Sequence, residues 1–198
     1  SAMFASALCF AFAAAFVAAD APPAPYIILE DTPGTLPKAA RVRQITEGPK
    51  HHFFGYYANC PWDATGRYMI CMESGFSDRK VDPGDEAALC LIDTQTGGMR
   101  QLAVTKAWNF QQGALAHWVG DRPEVVYNDL VDGELKAVVL NIHSGERRVL
   151  PRAITSVSRD GSWAACISFG RLNTTRPGYG YPGVSDPFAD EPDRKSVV

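Results

Sequence analysis

The chain has 198 residues, 46% of them hydrophobic and 21% charged, which is the balance of a folded globular protein and excludes general disorder. A formal net charge of −3 leaves no basic excess to neutralise phosphates, and no local basic patch offsets it, so nucleic acid is not the expected partner.

The first informative stretch, Ala5 to Ala19, reads ASALCFAFAAAFVAA and stops at Asp20, ahead of Pro22, Pro23 and Pro25. It is shorter than the roughly 20 residues that span a bilayer as a helix, and Val17-Ala18-Ala19 supplies a cleavage site. A signal peptide over residues 1–19 is therefore expected. Its removal leaves no stable membrane span and a periplasmic or extracellular protein. No basic residue precedes the apolar core and the chain does not begin with Met, so the expected start is upstream or altered. Cys9 suggests a lipid anchor, but Leu8 before it is too large for the usual small-residue position.

Residues 20–50 read as a linker and lead-in. Beyond them, short β-rich runs alternate with Gly, Pro, Asp and Asn, and no amphipathic stretch of helical period interrupts them. The predicted strands are Arg67–Glu73, Ala87–Asp93, Met99–Ala103, Glu124–Asn128, Lys136–Ile142, Arg147–Leu150 and Trp163–Phe169. The fold class is all-β.

An internal repeat organises these runs. Leu91-Ile92-Asp93-Thr94-Gln95-Thr96-Gly97 aligns with Val139-Leu140-Asn141-Ile142-His143-Ser144-Gly145, and both Gly97 to Gly145 and Leu102 to Leu150 span 48 residues. Each copy reads as strand, glycine turn, strand. A period in the 40s is that of four-stranded propeller blades. Upstream turns accompany the hairpins: Trp62 to Arg67 in the first copy, Ser158 to Trp163 in the third, and a looser Trp118-Val119-Gly120-Asp121 in the second. The expectation is an incomplete β-propeller over 51–192, about three four-stranded blades of a larger ring, since such rings close with typically four to eight. Residues 193–198, DRKSVV, read as the translation of a sequencing adapter.

In a propeller the first strand of each blade lines the central channel. These strands are expected within His51–Tyr57, within Trp108–Gly113 and within Ile154–Val157. At period two, His51, His52, Tyr56 and Tyr57 put one His and one Tyr on each side of a strand. A neutral His as base and a Tyr as proton donor suit β-elimination from a uronic acid, with Arg171 or Arg176 neutralising the carboxylate. The bland alternative is that His51, Phe53 and Tyr57 pack between blades. Trp108 beside Gln111 and Gln112 suits a sugar, with the indole for the ring and the amides for hydroxyls. Asn128 in Tyr127-Asn128-Asp129, and Tyr179 and Tyr181 in Pro177-Gly178-Tyr179-Gly180-Tyr181, are further substrate-binding candidates, although Asn and Asp at a strand end commonly serve a turn. His117 and His143 read as inter-blade packing and exposed loop.

Cys60, Cys71, Cys90 and Cys166 show no metal-ligand spacing, and neither metal nor cofactor is predicted. A divalent metal at His51/His52 would need ligands from further blades. Cys71 to Cys90 is one permitted bridge, with free buried thiols as the alternative.

With these segments quoted, the chain resembles secreted TolB-like and WD40-like bacterial propellers. More narrowly, HHFFGYY, CPWDATGRYMICME, AWNFQQG, YND and RPGYGY look like proteins related to propeller polysaccharide lyases of the oligogalacturonate-lyase and ulvan-lyase type. That resemblance implies His, Tyr and Arg at the channel mouth, carried here by His51, His52 and Tyr57 as type matches, and in some members a histidine-bound metal. The reading that follows is an exported propeller acting on uronate-containing polysaccharide by elimination. Its rival is a non-catalytic propeller that binds carbohydrate or protein in the cell envelope, with Trp108, Gln111 and Gln112 as contacts. A third, the propeller of a serine peptidase, requires a G-x-S-x-G that this sequence lacks.

Overall fold

The computed structural model describes residues 26–27, 42–186 and 189–190, so the signal-like run 1–19 and the tail 193–198 lie outside the described residues. Two short strands, β1 (Tyr26–Ile27) and β2 (Val42–Arg43), pair ahead of the repeats. The first four-stranded sheet then runs β3 (His51–Phe53), β4 (Tyr68–Ser74), β5 (Ala87–Asp93) and β6 (Met99–Thr105), neighbours in sequence being neighbours in space. The second repeats that order with β7 (His117–Trp118), β8 (Glu124–Val131), β9 (Glu134–Asn141) and β10 (Arg147–Val149). A third unit contributes the pair β11 (Ser156–Val157) and β12 (Ala164–Ala165), followed by one short helix, α1 (Phe169–Thr175). All pairings are antiparallel. The described chain is thus all-β apart from that helix.

The 48-residue offset in sequence recurs in the hydrogen bonds. In the β5–β6 hairpin the Gly97 N–H donates to the Asp93 carbonyl (2.8 Å), and the Asp93 side chain accepts from Gln95 N–H (3.0 Å). In the β9–β10 hairpin Gly145 N–H donates to the Asn141 carbonyl (3.0 Å), while the Asn141 side chain accepts from His143 N–H (2.9 Å). Gly97 and Gly145 sit at φ +76° and +75°, the left-handed region that glycine enters without steric cost. Asp and Asn hold the same post because either side chain can bridge its own turn.

The upstream turn recurs three times. Asp63 N–H donates to the Tyr68 carbonyl (2.9 Å), Val119 N–H to Glu124 (2.9 Å) and Ser158 N–H to Trp163 (2.9 Å). In the first and third copies a side-chain oxygen caps the exit: Asp63 accepts from Tyr68 N–H (2.8 Å) and Ser158 from Trp163 N–H (2.9 Å). The looser second copy therefore keeps the backbone turn without that side-chain cap.

Alternation along the strands stacks the sheets. Ile70, Met72, Leu89 and Leu91 from the first sheet share one apolar cluster with Val125, Tyr127, Val138 and Leu140 from the second. The opposite face of the second sheet, Val126, Ala137 and Val139, packs with Val119 and with Ile154 of the third unit. Sheets covered on both sides explain why β5 is buried at all its positions and reads as one apolar run.

Two sequence expectations are corrected. Trp163–Phe169 is not a strand: only Ala164–Ala165 pairs, and the chain turns into α1 at Phe169, where Ser168 accepts from Arg171 N–H (3.2 Å) as the N-cap. Trp108–Gly113 is not the first strand of the second unit. It is a tight turn in which Asn109 and Gly113 exchange backbone hydrogen bonds and the Asn109 side chain accepts from Gln112 N–H (2.7 Å). The first strand is β7, nine residues later than the start of that turn.

Candidate binding cleft

The three edge segments that begin the units converge. Trp62 bridges Met69 on the β3 side of β4, Trp118 pairs with Val125 on β8, and Val157 pairs with Ala164 on β12. Each immediately precedes its repeat's turn. Between β3 and Trp62 the first unit inserts residues 54–61, an excursion that carries Tyr56 and Tyr57 out of the sheet. Its entry point, Gly55, lies at φ +93° against the backbone of Gln112, where an added Cβ would stand 2.7 Å from the carbonyl oxygen. Only glycine lets these two loops meet there.

These segments wall a cleft of about 500 Å³. Tyr56, Asn59, Cys60 and Trp62 come from the first unit, Gln112, His117 and Trp118 from the second, and Thr155, Ser156 and Val157 from the third. Aromatic faces and short polar groups thus alternate around it, and none of its described lining residues is Asp, Glu, Lys or Arg. The Trp118 indole N–H donates to the Pro61 carbonyl (2.8 Å), fixing the ring against the insertion. In the wall, Gln112 Oε1 and Asn59 Nδ2 are buried without a hydrogen-bond partner among the described residues.

His117 is the histidine of this wall. Its Nδ1 lies 2.5 Å from the Leu115 carbonyl, a contact that calls for a proton on Nδ1 and leaves Nε2 with the lone pair. Burial pushes its pKa below the ordinary histidine value, against the opposing pull of that hydrogen bond. The ring is neutral at pH 7.

The predicted catalytic residues divide into two places. His52 Nε2 lies 3.1 Å from Glu73 Oε2 across β3 and β4, and Lys50 holds the other oxygen at 2.6 Å. Burial opposes ionisation of Glu73, but the hydrogen bonds from Lys50 and His52 outweigh it and lower its pKa. His51 lies at the same end, its Nε2 3.4 Å from Ser77 Oγ. No hydrogen bond joins either histidine to Tyr56 or Tyr57 among the described residues. The tyrosines stand together, Tyr56 in the cleft wall and Tyr57 beside it: Tyr56 donates to Tyr57 Oη (3.2 Å), which with burial raises the Tyr56 pKa, Tyr179 adding to the rise and Arg176 opposing it. The Arg176 guanidinium lies over the Tyr179 ring, 4.4 Å from its centre. Tyr57 is 82% exposed, which does not fit the packing alternative for that residue. Arg171 instead forms an ion pair with Asp186 (2.9 Å) from α1.

Several predicted contact residues are structural in this arrangement. Trp108 is fully buried among Phe53, Phe76 and Phe110, with its N–H donated to the Asp85 carbonyl (2.9 Å), so no ring face is left for a sugar. Asn128 and Tyr181 are buried and hydrogen-bonded to one another (2.9 Å), and Tyr181 stacks on Phe169. Tyr179 accepts through its carbonyl from Asn109 (3.3 Å). Gln111 is exposed and Gln112 alone of the pair lines the cleft. Cys71 and Cys90 are free thiols, and no metal-binding group of three or more His, Cys, Asp or Glu occurs among the described residues.

Asn59, Trp62, His117 and Trp118 were not among the sequence candidates. For Trp62 and Trp118 the signal was the upstream turn itself, since the residue before each copy of it lines the cleft. No protein-family model matches the chain, and a search of curated proteins likewise finds no match.

Proposed function

We propose that this chain carries successive blades of a β-propeller and binds carbohydrate in the cleft where the segments leading into their upstream turns meet. The observation that carries the reading is the convergence of three repeats on one cavity lined by Tyr56, Trp62 and Trp118 together with Gln112, Asn59 and Ser156. Aromatic faces cover sugar rings while amides and hydroxyls meet their hydroxyl groups, and a pocket of this size accommodates one or two residues of a glycan. The propeller half of the reading rests on repeated four-stranded meanders with sheets covered on both faces. It also rests on Trp163, 79% exposed where the equivalent Tyr68 packs edge-on against His143 of the next sheet. A further blade would cover it. The apolar run at 5–19 supports export to the periplasm or beyond.

A second reading, elimination from a uronate, is favoured by one specific grouping: Tyr56, which holds its proton, lies beside Tyr57, Tyr179 and Arg176. In that reading the base is His117, whose Nε2 carries the lone pair, and Arg176 meets the carboxylate; His52 stays engaged with Glu73.

Glycan-array binding by the full-length protein tests both. Trp62→Ala and Gln112→Ala are expected to weaken binding by about tenfold or more, the worth of one stacking or hydrogen-bonding contact of about 1.4 kcal/mol. Full binding by both variants, or no glycan bound by the parent, overturns the carbohydrate reading. Ultraviolet-absorbing unsaturated products lost in His117→Ala and Tyr56→Phe would establish elimination, and binding without product would leave the protein a lectin-like module.

A further inference from the structure

Cys71 on β4 and Cys90 on β5 stand directly opposite one another, 4% and 2% exposed. They lie on the face of the first sheet turned away from the second, among Ala88, Ile92 and Met69, and take no part in the cleft. The ladder sets their spacing. Thr94 N–H donates to the Arg67 carbonyl (3.0 Å), so that pair is a hydrogen-bonded one, and counting by twos along β4 and β5 makes Cys71 and Cys90 another. Such pairs hold their Cα atoms about 5.5 Å apart, inside the roughly 4.4–6.8 Å range of disulfides. Their Cβ atoms, however, stand at the wide end of about 4.5–5.5 Å, whereas a bridge wants about 3.5–4.5 Å. Closure therefore requires the strands to approach by about 1 Å.

A second observation shows where that movement is available. The β5–β6 register shifts between Leu89 and Cys90, leaving Leu102 as an extra residue on β6. A bulge interrupts the ladder on the far side of Cys90, so β5 can lean toward β4 without stretching an unbroken sheet. We propose that Cys71 and Cys90 are a reversible dithiol–disulfide site, closing under an oxidising thiol couple and reopening under a reducing one. The strain of drawing two strands together makes the bridge easily reduced, unlike a structural staple. The neighbouring Cys71 thiol and burial both push the Cys90 thiol pKa up, so exchange proceeds through local opening of the sheet.

The chemistry balances with a small-molecule disulfide as oxidant. One protein thiolate attacks a sulfur of that disulfide, expelling one small thiolate and leaving a mixed disulfide. The second protein thiolate attacks the protein-bound sulfur and expels the other small thiolate. Two protein thiols thus lose two electrons and two protons, and the small disulfide becomes two thiols.

The test equilibrates the full chain, with Cys9→Ser, Cys60→Ser and Cys166→Ser, in oxidised and reduced glutathione at varied ratios, followed by acid quench, alkylation and peptide mapping. The expected result is loss of two hydrogens in a linked pair of peptides holding Cys71 and Cys90, reversed by excess reduced glutathione. Two free, alkylatable thiols throughout would overturn the proposal, as would a bridge that excess reduced glutathione cannot open. Mapping of the unsubstituted chain gives the same readout if the triple variant does not fold.

Discussion

Replacing Asn128 with alanine should destabilise the protein by about 3–5 kcal/mol, because this one side chain satisfies three buried groups. Its Nδ2 donates to the Ile154 carbonyl (2.8 Å) and to Tyr181 Oη (2.9 Å), and its Oδ1 accepts from Ile154 N–H (2.8 Å). Alanine removes all three partners at once while the Asn128 backbone carbonyl keeps the hydroxyl of Thr105 (2.8 Å). Each buried group left unpaired costs about 1–3 kcal/mol, and partial relaxation of the second-to-third unit junction keeps the total below the simple sum. Against a typical domain stability of about 5–15 kcal/mol, that is a large fraction. With a urea m-value of about 2 kcal/mol/M, the midpoint followed by tryptophan fluorescence should fall by about 2 M. Tyr181→Phe is the scaled comparison: its ring remains stacked on Phe169 and only one of the three bonds is lost, at about 1 kcal/mol. If Asn128→Ala costs no more than Tyr181→Phe, the side chain does not tie the units together, and its reading as a substrate contact regains force.

Asp93 accepts hydrogen bonds from two nitrogens of Arg67 and caps its own hairpin, and Arg67 above all holds its carboxyl below the usual carboxylate range. The stabilisation is therefore complete above about pH 4 and fades as pH falls through the folded value. Asp93→Asn should keep the cap, as Asn141 does in the second hairpin, and lose about 1 kcal/mol or less at pH 7, since Arg67 is half exposed. Chemical denaturation across pH should show that difference shrinking on acidification; a difference constant with pH would refute the ion-pair account. Gly55→Ala should cost about 2–3 kcal/mol through its positive φ and the 2.7 Å approach to the Gln112 carbonyl. A melting temperature unchanged by that substitution would show that the two cleft loops do not meet there.

What was legible in the sequence follows from which interactions are local. The hairpins of Asp93 to Gly97 and Asn141 to Gly145 close through contacts within five residues, so a side-chain acceptor and a left-handed glycine at fixed spacing record them in the text. β5 was legible to its ends because a strand covered on both faces is an unbroken apolar run bounded by a turn. The segment Trp108–Gly113 reads as a first strand from its place in the repeat and its large polar and aromatic groups, yet it is a turn whose burial comes from packing of Trp108 and Phe110 on Phe53 and Phe76, which are distant in sequence. Composition reports burial. It does not report which backbone geometry delivers it.

The same distinction explains why the structure separates His51 and His52 from Tyr56 and Tyr57. His51 and His52 stand shortly ahead of Gly55 and the tyrosines, and strand alternation over the whole run would put one His and one Tyr on each side. Alternation holds only along a continuous strand, whereas β3 ends at Phe53 and Gly55 redirects the chain toward Gln112. The histidines remain at the Glu73 end, while Tyr56 goes to the cleft wall with Tyr57 beside it. His117 read as isolated because its partners are spread over three repeats: Trp118 beside it, Tyr56 and Trp62 more than fifty residues before it, Ser156 some forty residues after it. Aligning the three upstream turns would have found it, since Trp62, Trp118 and Val157 hold equivalent posts before turns closed by the same backbone hydrogen bond. In a repeat protein the site is written across the copies, one or two residues in each, and the register that aligns the turns is what gathers those residues into one cleft.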